Sequence, residues 1–163
     1  MYLEDSLKDA NDIYGRSKAL GEVVNNNDIT IRTSIIGPEL KLEGEGLFGW
    51  ITEQTGDVCG FTESIWSGVT TLELAKAIEE ILSSNITGLY HLTNNHSICK
   101  YELLKIIVCV FELSAVNLSP TKGKLVNKSF IDTRQELMFQ VPDYQQMIGN
   151  LKSWIDQHPS VYN

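Results

Sequence analysis

Positive charge is scarce in this sequence: 13 Lys and Arg stand against 21 Asp and Glu in 163 residues, a net charge of −8. Nucleic-acid binding needs a basic footprint, so that class of partner is excluded. Long hydrophobic runs are absent as well. None approaches the roughly 20 residues of a membrane span, and no membrane association is expected. The acidic, polar start is not expected to be a secretory leader. Cysteine is sparse: Cys59, Cys99 and Cys109 are odd in number and scattered, which suits free thiols in a reducing cytoplasm. The N-x-S/T triplets at Asn85, Asn95, Asn117 and Asn127 are then chance matches. Repeats, low-complexity stretches and long linkers are lacking too. The apolar share of 42% is ordinary for a globular chain, and the length is one domain or the larger part of one.

Two further shortages bear on chemistry. His91, His96 and Cys99 match no zinc spacing with a fourth ligand, so no metal is expected. A dinucleotide loop is also lacking. The pattern G-x-G-x-x-G occurs at Gly44-Glu45-Gly46-Leu47-Phe48-Gly49, but it follows no strand that opens a βαβ unit, and Glu45 would repel a pyrophosphate. It reads as a loop before a helix starting near Leu47.

The most informative stretch is Tyr14-Gly15-Arg16-Ser17-Lys18-Ala19-Leu20-Gly21-Glu22. Asp9, Asn11 or Asp12 can cap a helix here, and the spacing predicts one running to about Val24. Residues four apart share a helical face, which sets the Tyr14 phenol beside the Lys18 ammonium. A phenol is a weak acid, and a neighbouring cation favours its ionised form, so such a pair serves as a general acid/base. Gly21 leaves room on the same face for a flat ligand. A second Y-x-x-x-K, Tyr101 to Lys105, opens an apolar helix pattern and reads as packing. Only the first copy precedes a β-branched run, Ile29-Thr30-Ile31-Arg32-Thr33-Ser34-Ile35-Ile36, read as one buried strand ended by Gly37-Pro38. The stripe Ile13, Ser17, Leu20 and Val24 is expected to face the interior.

Y-G-R-S-K-x-x-G-E followed by I-R-T-S-I-I-G, with Tyr2-Leu3-Glu4-Asp5 as lead-in, resembles the active-site helix and next strand of the extended short-chain dehydrogenases/reductases. Within them it is most similar to the dTDP-4-dehydrorhamnose reductase-like enzymes of nucleotide-sugar and polysaccharide biosynthesis. The resemblance implies an α/β fold: the C-terminal half of a Rossmann-like parallel sheet with a small α/β substrate lobe. Residues 1–40 then hold the active-site helix and following strand of the nucleotide-binding domain. Residues 41–163 hold mainly the substrate lobe, with elements returning to the sheet. Such enzymes run to about twice this length and begin with a glycine-rich loop. They also use a Ser or Thr upstream of the Tyr, and no position here matches it.

The resemblance further implies Tyr14 as proton donor, Lys18 as holder of the cofactor ribose, and Thr33, Ser34 and Ile35 near the nicotinamide. Trp66 is a candidate to stack on substrate. Residues 119–134 concentrate Lys122, Lys124, Lys128 and Arg134, and Asn127 to Asp132 is similar to the family's C-terminal segment without its Arg-Pro. Lys128 and Arg134 are the candidates there for a sugar-nucleotide diphosphate. The expected activity is NAD- or NADP-dependent reduction of a nucleotide-linked 4-keto sugar. Epimerase or dehydratase chemistry and a non-catalytic binding subunit are the alternatives. The chain alone is expected to bind no NAD(P), and to associate as a dimer or with a nucleotide-binding half. Elsewhere, Val58 to Phe61 and Gly88 to Leu92 read as strands. Helices are expected after Thr70, from Lys100 to Leu113 with Ser97 as cap, and from Tyr144 to Gln157.

Overall fold

The computed structural model describes residues 1–39, 44–134, 136 and 138–162. The elements follow in the order α1 (Ile13–Leu20), β1 (Ile29–Arg32), β2 (Ile35–Ile36), α2 (Leu47–Thr52), β3 (Gly56–Phe61), β4 (Ser64–Trp66), β5 (Val69–Thr70) and α3 (Thr71–Leu82). Then come β6 (Gly88–His91), β7 (Ile98–Cys99), α4 (Lys100–Val110), β8 (Val116–Thr121), β9 (Val126–Asn127), α5 (Tyr144–Gln157) and α6 (Pro159–Tyr162). The fold is mixed α/β, and parallel pairing predominates. β1 runs parallel to β6, β2 to β5, β3 to β8 and β4 to β9, while β4 and β7 are antiparallel.

Local chemistry explains the entry into β1. Asn25 Oδ1 accepts from the amides of Asn27 and Asp28 at 2.7 and 2.8 Å, an Asx turn that reverses the chain. The β-branched Ile29, Thr30 and Ile31 then favour extended backbone. Ile29 lies opposite Gly88 and Arg32 opposite His91, and the Leu92 amide extends the ladder to the Arg32 carbonyl at 2.9 Å. All four residues of β6 are buried, the mark of an inner strand covered on both faces.

The helices are set by caps and by apolar spacing. Thr70 accepts from the Glu73 amide at 3.2 Å, and Glu73, Ala77 and Ile81 then bury one stripe of α3. The buried Glu73 carboxylate is answered by Lys76 at 2.8 Å and by Asn150 of α5 at 3.2 Å. α4 buries Leu103, Leu104 and Ile107 and packs against α2, α5, β3 and β8. Asp143 caps α5, which buries Tyr144, Met147, Ile148 and Leu151 in the same core.

Several expectations need correction. α1 ends at Leu20, because the Gly21 amide turns back to Ser17 and Lys18 carbonyls and the chain leaves for β1. The run from Ile29 to Ile36 is two strands, not one. At Thr33 and Ser34 the backbone changes neighbours: the Thr33 hydroxyl donates to the Leu92 carbonyl at 3.0 Å, and the Ser34 carbonyl accepts from the Val69 amide at 2.9 Å. The α4 N-cap is Cys99, with no side-chain bond, in place of Ser97. β8 and β9 occupy part of the segment 119–134 in which the basic residues concentrate. The stripe on α1 does not face the interior: Ile13 is 89% and Leu20 88% exposed, since no described element lies over it.

Gly68 marks the tightest approach between β2 and β5. A Cβ there would overlap the Ser34 carbonyl and the Trp66 ring. Gly68→Ala is expected to cost about 2 kcal/mol or more by this overpacking, read as a lowered urea midpoint; an unchanged midpoint would show that the strands part without penalty.

Candidate functional site

The first helix is held at its start by Asp12, whose carboxylate accepts from the Gly15 amide at 2.6 Å. The helical repeat then aligns Tyr14 and Lys18, with the Lys18 ammonium 5.5 Å from the centre of the Tyr14 ring. Tyr14 is 74% exposed, and no residue of α1 is buried. The pair borders a cleft of about 970 Å³ that runs between α1 and the unpaired edge of β1. Thr33, Ser34 and Ile35 line the same cleft, as do Gly21, His91 and Phe130. This is the carboxyl end of β1, the end at which open α/β sheets hold their ligands.

The other candidates lie elsewhere. Trp66 is half-buried against the core, tilted onto Tyr144 with ring centres 5.9 Å apart. Lys128 is exposed, with its backbone amide bonded to the Ile65 carbonyl. Arg134 lays its guanidinium on the Tyr90 ring at 4.1 Å and donates to the Leu89 carbonyl at 3.2 Å. None of these three lines the cleft.

A charged network that the motif reading missed runs along one side of the cleft. Arg32 forks onto Glu22, Nε at 2.6 Å and Nη2 at 2.8 Å. Lys8 Nζ reaches the same carboxylate at 2.6 Å. Arg32 Nη1 donates to the Glu4 carbonyl at 3.2 Å and faces His91 Nε2 at 3.4 Å. His91 Nδ1 lies 2.8 Å from the Ile131 carbonyl, so the proton belongs on Nδ1 and Nε2 accepts from Arg32. The Arg32 fork, then Lys8, holds the Glu22 carboxyl below its ordinary value despite partial burial. Burial works to raise the Glu4 carboxyl, but the hydroxyl and amide of Thr133 outweigh it and leave it lowered. Burial lowers His91 against the opposing pull of the Ile131 carbonyl and Glu4, which suits a neutral ring. One signal for this network was present: Arg32 is a lone charge inside an apolar run, and such a charge must find a partner. The identity of that partner and the part played by His91 depend on contacts across the sheet.

No protein-family model matches the sequence, and no curated protein shows significant similarity to it. Solved structures do match. The dTDP-4-dehydrorhamnose reductase of Bacillus anthracis, in complex with NADP, superposes with a TM-score of 0.77 at 20% identity, over 94% of this chain and 59% of that one. The Yersinia enterocolitica dTDP-4-dehydrorhamnose reductase gives 0.71 at 17% identity, over 92% and 60%. This chain has the dTDP-4-dehydrorhamnose reductase fold. It spans about three-fifths of the length of those reductases. The same architecture is shared more distantly by a UDP-N-acetylglucosamine 4-epimerase of Methanobrevibacter ruminantium, with a TM-score of 0.57 at 15% identity over 79% of this chain and 46% of that one.

The described residues at the cleft have the chemistry to suit one end of a dinucleotide. Tyr14, Lys18 and Thr33 bring polar groups to the cleft. The Gly44–Gly49 loop does not fit a pyrophosphate, because the Gly46 amide is already taken by the Glu39 carboxylate at 2.6 Å. No described helix is long and apolar enough to cross a membrane.

Asp132, beside Glu4 and Thr133, gives this region a measurable pH dependence. Burial, opposed by the Arg134 amide, pushes its carboxyl up to about 6. The folded chain therefore holds this proton more tightly than the unfolded one, and the group's stabilisation is lost as pH rises from about 4 through 6. Asp132→Asn is expected to raise the urea midpoint at pH 7, with the gain fading towards pH 4; a difference constant across that range would contradict the assignment.

Proposed function

We propose that this chain is the active-site-helix and substrate-lobe portion of an NAD(P)-dependent reductase acting on a nucleotide-linked 4-keto sugar, the nucleotide-binding portion coming from outside these residues. The observation that carries the reading is the Tyr14–Lys18 pair on one helical face at the mouth of a cleft, beside the carboxyl end of β1. The reductase fold supports it. The bare stripe of α1 and the unpaired edge of β1 are the surfaces that a nucleotide-binding portion would cover.

The cofactor, when bound, supplies the hydride. Tyr14 donates its phenolic proton to the carbonyl oxygen, and Lys18, on the same face, holds the ribose hydroxyls and offsets the negative charge left on the phenol. The Thr33 hydroxyl spends its proton on the Leu92 carbonyl, so towards a ligand it can only accept. Removing solvent from the cleft strengthens the attraction between Lys18 and Tyr14, which is weak while both are exposed.

A second reading has one observation in its favour. With no buried residue on α1, the chain could serve as a binding subunit that associates through that helix and catalyses nothing. The two readings part in one experiment. Alone, the chain is expected to give no micromolar NADPH binding by calorimetry. Fused to the nucleotide-binding portion of the Bacillus anthracis reductase that it does not cover, it is expected to oxidise NADPH with dTDP-4-dehydrorhamnose. Tyr14→Phe should lower that rate by about 100-fold or more. Micromolar NADPH binding by the chain alone, or full activity of the Phe variant, would refute the first reading. A silent fusion, with self-association of the chain in sedimentation, would favour the second.

A further inference from the structure

The helix that carries Tyr14 and Lys18 should not by itself hold a fixed position. It has eight residues and buries none of them. An isolated helix of that length is marginal in water, and helices normally gain stability by packing an apolar face. Here the apolar residues Ile13 and Leu20 point into solvent. What attaches the helix must therefore be sought at its ends.

At the N-terminal end the described bonds are local: the Asp12 carboxylate accepts from the Gly15 amide and the Asp12 carbonyl from the Arg16 amide. At the C-terminal end the attachments converge on one group. Lys8 Nζ bonds the Ala19 carbonyl at 3.3 Å, one of the carbonyls that a helix terminus leaves unsatisfied, and the same Nζ lies 2.6 Å from Glu22. Glu22 takes both forks of Arg32, which stands on β1. The third guanidinium nitrogen is held by the Glu4 carbonyl and by His91 of β6. The Glu22 and Arg32 side chains are only 13% and 21% exposed, and His91 is 1% exposed, so the fork is shielded from solvent and salt. Next along the chain, the Thr30 hydroxyl exchanges bonds with the Val23 amide and carbonyl at 3.2 and 2.6 Å.

We propose that Glu22 and Arg32 are the positioning residues of the Tyr14–Lys18 helix: their forked ion pair, with Lys8 at one end and His91 at the other, fixes where α1 stands over the cleft. The proposal rests on the reading of Tyr14 and Lys18 as the reacting pair for its purpose, but not for its geometry. A bidentate pair suits this role better than a single contact, because two parallel bonds set direction as well as distance. Glu22 also lies two residues beyond the last residue of the helix, so the ion pair acts at its C-terminal end.

The test is amide hydrogen exchange by NMR on the whole chain, unaltered and as Glu22→Gln, Arg32→Gln and the double variant. Removing one partner of a shielded pair leaves the other uncompensated. Each single variant is expected to lower protection of the amides from Ser17 to Val23 by about tenfold or more, while the α4 amides of Leu103 to Ile107 change much less. Because the two groups act as a unit, the double variant should lose little beyond either single one. Arg32→Lys, which keeps charge but not the fork, is expected to restore only part of the protection. The proposal is overturned if protection from Ser17 to Val23 is unchanged in Glu22→Gln, if α4 loses protection in equal measure, or if the two losses multiply. No measurable protection of α1 in the unaltered chain would equally overturn it. Since no readout is an activity, failure of the reductase reading leaves this result standing, and the converse also holds.

Discussion

A guanidinium at the end of an apolar strand is the constraint to which this part of the molecule answers. Arg32 is the last residue of β1, and its side chain is 21% exposed. Its three nitrogens are satisfied by Glu22, the Glu4 carbonyl and His91. Those three partners belong to the end of the first helix, the N-terminal segment and the neighbouring strand. Satisfying one partly buried charge thus ties together the elements around the cleft. The same logic extends outward. Glu4 holds Thr133 and His91 holds the Ile131 carbonyl, which secures the segment from Ser129 to Arg134 against β6.

The two sides of the cleft are built differently as a result. On the sheet side, β6 is wholly buried and β1 rests on it in parallel register, so Thr33, Ser34 and Ile35 are carried by a strand-end that the core holds in place. On the helix side, Tyr14 and Lys18 are carried by a segment with charge-assisted bonds and no apolar anchor. The reaction proposed for Tyr14 and Lys18 needs both a fixed direction and access to ligand, and this arrangement is suited to both. Among the described residues it also leaves one edge of β1 unpaired and the stripe on α1 bare.

Much of this was legible before any coordinates. The Tyr14–Lys18 spacing gave a shared face, and the β-branched run from Ile29 gave the strand that follows. A cap at Thr70 or Thr71 with Glu73 in the first turn was readable because capping depends on residues close in the chain, and the structure selects Thr70. The apolar spacing of α4 and α5 was equally plain. The break at Thr33 and Ser34 was not, since both halves are extended and β-branched; only the change of neighbour from β6 to β5 divides them. β8 contains Asn117 and Pro120, which disfavour strands, and is held by β3 pairing with it along its whole length. The basic residues near it looked like one cluster in the chain. The fold separates them, with Arg134 laid on Tyr90 and Lys128 out in solvent.

The sequence by itself determined the local objects: a capped helix displaying a phenol and an ammonium, a β-branched strand after it, and the apolar stripes of the later helices. Each depends on residues within a turn or two of one another, where backbone sterics and spacing decide the outcome. Tertiary structure alone decided which face of the first helix meets solvent, which strand-end faces Tyr14 and Lys18, and which carboxylate answers Arg32. Those outcomes turn on contacts between residues as far apart as Glu4 and Thr133, or Arg32 and His91. No spacing rule encodes such pairs, because the free energy that selects them is the desolvation of a buried charge, and that exists only once the chain has closed around it.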